Sequence, residues 1–305
     1  MCARFVSDNR ISAEARAAVA LGNFDGLHIG HTAVINACVE QAAGYAPVVL
    51  RFREHPMHAL AGKAPSLLLT EEEERRRILA MGAQPMYVDF QAVKDFSPEE
   101  FVKKILVDEL HAGFVSCGYN YHFGSRAAGD ADTLQTLCKP YGIAVNICPK
   151  VAFGDIAVSS TAVRNALLRG DVALADDMLG YAYGYDFTVS EGDKRGRILG
   201  APTINQFFPD GMLVPKFGVY ASRVTVDGKN YVGVTNIGCR PTIGNSSPRS
   251  ETYIENFSGD LYGQRPRVTL IKYMRPEIKF DSLDALSAQI AADAKLAAET
   301  AGAGL

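Results

Sequence analysis

Histidine is missing from everything that follows His122: the six imidazoles of the chain stand at positions 28, 31, 55, 58, 111 and 122. Any general base needed in the later part of the chain must be another group, and a carboxylate is the usual substitute. Paired cysteines are also missing. The six thiols, at 2, 38, 117, 138, 148 and 239, form no CxxC pair and no disulfide-like framework, which suits free cysteines in a reducing compartment. The first twenty residues contain Arg4, Asp8, Arg10, Glu14 and Arg16, so they lack the apolar core of a signal peptide. No apolar run approaches membrane-spanning length. A formal net charge of −3 argues against a broad nucleic-acid-binding surface. The expectation is a cytoplasmic protein acting on small molecules, without nucleic-acid or membrane partners, as a monomer or weak homo-oligomer.

What is present is length and apolar content enough for two cores in 305 residues, and two different periodicities. Up to about Gly180, short β-rich runs alternate with helical patterns: Pro47 to Phe52, Pro85 to Phe90, Gly113 to Cys117 and Ile143 to Cys148 read as strands. That grammar predicts a doubly wound parallel sheet. Thr70 to Met81 reads as a helix whose glutamates at 71 to 73 face arginines at 75 to 77 at i,i+4 spacing, with a Thr70/Glu73 capping box, and hence as a solvated face. From about Tyr181 the runs become short and alternating, with Gly, Pro and Asn punctuation. An Asp227-Gly228 step between two of them signals a hairpin. A small antiparallel β-barrel or sandwich closed by a C-terminal helix from Ser282 to Ala298 is expected. The domains are accordingly 1–180, α/β, and 181–305, mainly β.

The most informative stretch is LGNFDGLHIGH, Leu21 to His31. Ala17 to Leu21 suits a buried strand and Gly30 to Ala43 carries helical spacing, so the glycines fall on a strand-to-helix junction, where open parallel sheets bind ligands. Gly22, Gly26 and Gly30 allow a tight turn and close backbone approach, with Asn23 and Phe24 inside it; a helix N-terminus offers unpaired N–H groups to an anion. The spacing is neither GxGxxG nor GxxxxGK[ST], the dinucleotide and phosphate-loop signatures. His28/His31 and His55/His58 invite a metal reading. Gly30 and Pro56 break any helix that would aim either pair at one ion, and no cysteine or carboxylate stands at ligand spacing. A phosphate site ranks above a metal site. The junction resembles the HxGH motif of the nucleotidyltransferase superfamily.

Further segments extend the resemblance over essentially the whole chain. GYNYHFGSRAAGD (Gly118 to Asp130) and SSTAVR (Ser159 to Arg164) join the HxGH segment in the first half. GDKRGRILGAPTIN (Gly192 to Asn205), GVY (Gly218 to Tyr220), NIGCRPTIG (Asn236 to Gly244), the SET step at Ser250 to Thr252 and RPEIKFDSLDALSAQI follow in the second. In this order and spacing they resemble the prokaryotic bifunctional riboflavin kinase/FMN adenylyltransferase, or FAD synthetase, family. The resemblance implies ATP-dependent phosphorylation of riboflavin to FMN, then adenylylation of FMN to FAD with release of pyrophosphate. Retention of a single activity, or a flavin- or nucleotide-sensing protein without turnover, are the alternative readings.

By the same resemblance, His28, His31, Ser160 and Arg164 meet ATP, with Ser159 and Thr161 beside them, and Asn120 and Arg275 lie by the flavin. In the second half Glu251 is the implied base, and Gly192, Lys194 and Gly196 belong to a flap around nucleotide and flavin. Thr203 and Asn205 carry oxygens suited to Mg²⁺ and phosphate. FMN already presents an anionic phosphate and needs no strong base, whereas a ribityl hydroxyl must lose a proton as it attacks. The chain departs from the family pattern at Glu54-His55-Pro56, Tyr121-His122-Phe123-Gly124, Phe187, Ala201 and Ile204. None of these removes a residue assigned chemistry; Ala201 and Ile204 flank the oxygen ligands and bear on substrate affinity.

Overall fold

The computed structural model describes residues 5–6, 16–52, 65–191, 203–239 and 247–301. Gly192, Lys194, Gly196, Ala201 and the Glu54-His55-Pro56 step lie outside the described residues. Two compact units, Met1–Ser160 and Thr161–Leu305, divide the chain.

In the first unit, β1 (Phe5–Val6), β2 (Ala17–Leu21), β3 (Ala46–Phe52), β4 (Gln84–Val88), β5 (Ala112–Gly118) and β8 (Ala144–Cys148) form one sheet in the order β1-β4-β3-β2-β5-β8, while β6 (His122–Phe123) and β7 (Gly129–Asp130) make a separate small pair. All pairings are parallel except that of β1 on the edge. Val19 and Leu21 of β2, Leu50 of β3 and Val115 of β5 share one core with Val102, Ile105, Leu106 and Leu134. Ala18 and Ala20 point to the opposite face, both fully buried, and their small side chains let α1 (Ile29–Val39) come close to β2. Each buried Val or Leu contributes roughly 1.5–3 kcal/mol of transfer free energy. Strand order reverses at β2, whose neighbours are β3 on one side and β5 on the other. The turn after Leu21 therefore opens at the topological switch point of the sheet.

Helix α2 (Glu71–Ala80) starts where the capping threonine predicts: the Thr70 hydroxyl accepts the Glu73 amide at 3.2 Å. Glu73 pairs with Arg77 at 2.7 Å, the expected i,i+4 partner. The helix is not solvated all round, however. Glu73 and Glu74 are 6% and 2% exposed, because Glu74 shares the sheet-facing side with Ile78, one turn on. Its Oε1 lies 2.5 Å from Nη1 of Arg51 on β3. The sequence reading of this charge run as a solvated face is thus corrected at these two positions.

The second unit begins with α6 (Ser160–Arg169) and α7 (Val172–Leu179), counting after the short α3 (Phe90–Val93), α4 (Pro98–Phe101) and α5 (Ala131–Cys138) of the first; Ser160 itself closes the first unit. Leu167 of α6 accepts the Lys216 amide at 3.1 Å. A hairpin of β9 (Ala152–Phe153) and β10 (Ile156–Ala157) precedes α6. After α7, β11 (Gly184–Tyr185), β12 (Val189–Ser190), β13 (Thr203–Phe207), β14 (Gly218–Val226), β15 (Lys229–Gly238), β16 (Arg249–Ile254) and β17 (Arg267–Arg275) build a curled antiparallel sheet in the order β11-β17-β14-β15-β16-β13-β12. Asp227 and Gly228 take φ of 48° and 77° between β14 and β15, the two positive values of a tight hairpin turn. One face of the sheet is covered by α8 (Leu283–Ala301), whose fully buried Ala297 packs with Val219, Ala221, Val232 and Val234. The other face buries a chain of hydroxyls, Ser222 to Thr235 at 2.8 Å and Thr235 to Thr252 at 2.9 Å. The fold class expected from the sequence, a parallel α/β unit followed by a curled antiparallel one with a terminal helix, is the fold observed.

Burial pushes the Glu74 carboxyl up to about 8 from 4.5, with Asp25 and Glu71 adding to the rise and Arg51 opposing it. A carboxyl whose native pKa lies above its unfolded value contributes stability that is complete below about 4.5 and lost as pH rises through about 8. Glu74→Gln should therefore flatten the fall in melting temperature between pH 5 and pH 8, measured by thermal denaturation; an undiminished fall would show that Glu74 is ionised across the whole interval.

Candidate active sites

At the switch point the backbone is bent hard. Phe24 and Leu27 hold φ of 54° and 42°, unusual for residues with side chains, and Gly26 holds 82°. A Cβ on Gly26 would stand 2.6 Å from Leu68 Cδ1, so glycine is needed here for both conformation and space. Asp25, 3% exposed, fixes the turn from within: its carboxylate accepts the Leu68 amide at 2.9 Å and its carbonyl accepts the Ser160 hydroxyl at 2.8 Å. The hydroxyl of Ser160, the first residue of α6, thus ties the start of that helix to the glycine turn. Thr161 and Arg164 follow on α6, Ser159 precedes it, and Gly22, Asn23 and Gly30 lie in or beside the turn.

His28 is the N-cap of α1, and its Nδ1 accepts the His31 amide at 3.2 Å. With Nδ1 accepting, the neutral ring carries its proton on Nε2 and can donate there. The two imidazoles stack, centroids 3.6 Å apart and 16° from parallel, while Phe24 meets His31 edge-on at 5.3 Å. Burial pulls His28 down to about 4. His31 lies well below its ordinary value, through burial first and then the fields of His28 and Arg51. Both rings are therefore neutral donors at neutral pH, set at the positive end of a helix dipole. Asn120 is exposed just past the end of β5, next to β2 in the sheet, with its carbonyl 3.0 Å from His122 Nδ1.

In the second unit, strand register assembles the remaining expected residues. Asn205 of β13 is opposite Glu251 of β16, which is opposite Asn236 of β15; Thr203 is opposite Tyr253 two residues along. Opposed residues of antiparallel strands share a face. Thr203, Asn205 and Glu251 therefore display their oxygens side by side. Glu251 is gripped on its own strand by Arg249, Nε and Nη2 lying 3.0 and 2.9 Å from Oε1. The Asn236 amide donates to Glu277 at 3.0 Å. Arg249, Asn236 and Glu277 had not stood out in the sequence; the i,i+2 spacing of Arg249 and Glu251 in an alternating strand was the available signal. Arg275 ends β17 in the same cross-sheet row, through Val219. Its Nε and Nη2 donate to Asp293 of α8 at 3.1 and 2.6 Å and its Nη1 to the Pro276 carbonyl at 3.1 Å, so it anchors the terminal helix.

Thr203 and Asn205 both present side-chain oxygen, the ligand type that Mg²⁺ prefers when it also holds phosphates and water. Among the described residues no group of three or more His, Cys, Asp or Glu could hold a metal by itself. Nor is any described helix long and apolar enough to cross a membrane.

One unit offers neutral imidazole donors at a helix N-terminus, the other a carboxylate among side-chain oxygens. Together they equip a transferase for phosphate-bearing substrates. Residues 10–162 match the family described as FAD synthetase, and residues 179–301 the family described as riboflavin kinase. Bifunctional riboflavin kinase/FMN adenylyltransferases are similar over nearly the full length: that of Listeria monocytogenes is 34% identical, covering 90% of this chain and 89% of the relative. The protein of the same name from Bacillus subtilis is 33% identical, covering 92% and 91%, and that of Escherichia coli strain K12 is 34% identical, covering 92% of each. A solved structure titled as a macrolide-efflux protein from Streptococcus pneumoniae superposes with a TM-score of 0.85 at 29% identity, covering 94% of this chain and 95% of that one. The chain belongs to the bifunctional riboflavin kinase/FMN adenylyltransferase family.

The burial of His28 gives a direct observable. Its C2 proton should titrate near 4 in a histidine NMR pH series, against the ordinary 6.5; a midpoint at 6.5 would mean a solvated ring that is partly charged at neutral pH.

Proposed function

We propose that the two reactions of this riboflavin kinase and FMN adenylyltransferase are run by separate constellations, adenylyl transfer by residues of 1–180 and riboflavin phosphorylation by residues of 181–305. The observation that carries this reading is the division of acid-base equipment: the turn at the switch point presents neutral imidazoles, while Glu251 stands in the row that also holds Asn205 and, one step along, Thr203.

In adenylyl transfer an oxygen of the FMN phosphate attacks the α-phosphorus of ATP, the bond to the bridging oxygen breaks and pyrophosphate leaves. The nucleophile is already an anion, so the protein's work is positioning and charge stabilisation. Gly22, Asn23, Phe24, Gly26 and Gly30 let the phosphates approach the start of α1; His28 and His31 donate to oxygens that gain charge; Ser159, Ser160, Thr161 and Arg164 hold the nucleotide, and Asn120 meets the flavin end. In the kinase reaction the ribityl hydroxyl attacks the γ-phosphorus, its proton passes to the Glu251 carboxylate, and ADP leaves as the β,γ bridge breaks. Mg²⁺ held by Thr203 and Asn205 would neutralise phosphate charge. Gly192, Lys194 and Gly196 are assigned to the nucleotide by the resemblance alone, and Arg275 is assigned to the flavin end.

Selective losses test the reading. His31→Ala should cut FAD formation by at least ~10²-fold while leaving FMN formation nearly unchanged; equal loss of both in a folded variant would assign His31 a structural role. Glu251→Gln keeps shape and much of the hydrogen bonding but cannot accept a proton, and should lower riboflavin phosphorylation by about 10²–10⁴-fold with FAD formation from supplied FMN intact. Full kinase turnover in that variant would remove Glu251 as the base.

A further inference from the structure

A carboxylate that must meet a hydroxyl at one angle gains from being held still, because a misplacement of about 1 Å in a reacting group can cost on the order of 10²-fold in rate. Glu251 has three side-chain torsions and sits on an otherwise half-open strand face. What holds it is Arg249. The two residues are two apart on β16 and so project on the same side of the sheet. Both nitrogens of the grip, Nε at 3.0 Å and Nη2 at 2.9 Å, converge on the single oxygen Oε1. The pair is also sheltered, with side chains 14% and 21% exposed, unlike the surface ion pairs that contribute little. Arg249 is fixed from a second direction: its guanidinium carbon lies 5.8 Å from the ring centroid of Phe207, its register partner on β13. A planar guanidinium clamped against an aromatic ring is a more rigid support than a lysine would be.

We infer that Arg249 is a positioning residue for riboflavin phosphorylation, orienting the Glu251 carboxylate toward the ribityl hydroxyl without touching the reacting atoms. This rests on the reading of Glu251 as base. The transfer itself is unchanged: the hydroxyl proton goes to Glu251, the new O–P bond forms at the γ-phosphorus, and ADP departs.

The test compares the full-length wild type with R249M, R249K, E251Q and the double variant R249M/E251Q in steady-state riboflavin phosphorylation, with FAD formation from supplied FMN as the control for folding. R249M should lower kcat by about 10- to 100-fold, with KM for riboflavin and for Mg-ATP nearly unchanged. R249K, which keeps the charge but not the two-nitrogen grip, should recover part of that loss. The decisive result is the double variant, which should be no slower than E251Q alone, since Arg249 has nothing to orient once the base is gone. Losses that multiply in the double variant, or a wild-type kcat in R249M, would overturn the inference. Should R249M fail to fold, R249K decides: an intermediate kcat at unchanged KM supports the inference, and wild-type kcat overturns it. A fully active E251Q would instead overturn the base assignment, and a slow E251Q beside a fully active R249M would leave that assignment standing and defeat the positioning role alone.

Discussion

The register of β16 between β13 and β15 is the constraint on which the arrangement of Asn205, Glu251 and Asn236 depends. Side chains alternate across a strand, so a slip of one residue would carry Glu251 to the face that buries Ser222, Thr235 and Thr252 and bring Thr252 out in its place. The chain of buried hydroxyls resists that slip. Each member finds its partner in the observed pairing, and a carboxylate in its place would be desolvated. The same register sets Asn205 on one side of Glu251 and Asn236 on the other. Packing on the concealed face thus fixes where the opposite face places the oxygens of Asn205 and Glu251.

The first unit meets a comparable demand by strain rather than by pairing. Two non-glycine residues with positive φ within four positions are costly, and the turn keeps them because Asp25 is anchored to both Leu68 and Ser160. That arrangement leads the chain directly into His28, so the stacked histidine pair and the N-terminus of α1 are delivered together to the edge of the sheet where β3 and β5 part. Electrostatics and geometry coincide there. Burial leaves the rings uncharged, which suits groups that donate hydrogen bonds to phosphates beside a helix dipole already positive.

Glu74 and Arg275 show how ionisable side chains are held within the two units. Glu74 faces the sheet and meets Arg51 below the switch-point turn, and Arg275 closes a two-pronged pair with Asp293, itself 4% exposed, that holds α8 against the sheet. Each is an ionisable side chain that its neighbours in sequence would place in solvent, and each is drawn inward by a partner on another element.

The sequence by itself determined the change of period, the strand-to-helix turn, the hairpin at Asp227-Gly228 and the start of α2 at Thr70, because these follow from local backbone preference and from side-chain spacing within a dozen residues. The motif order was enough to reach the family. Only the tertiary structure decided the rest: that Ser160 binds the carbonyl of Asp25, that Glu73 and Glu74 are buried, that Arg249 grips Glu251, and that the fork of Arg275 is spent on Asp293. These depend on which strands lie side by side and in what register, and on partners from 2 to 135 residues away in the chain. Such pairings have no local signature, since the free energy that selects them comes from packing the whole sheet at once.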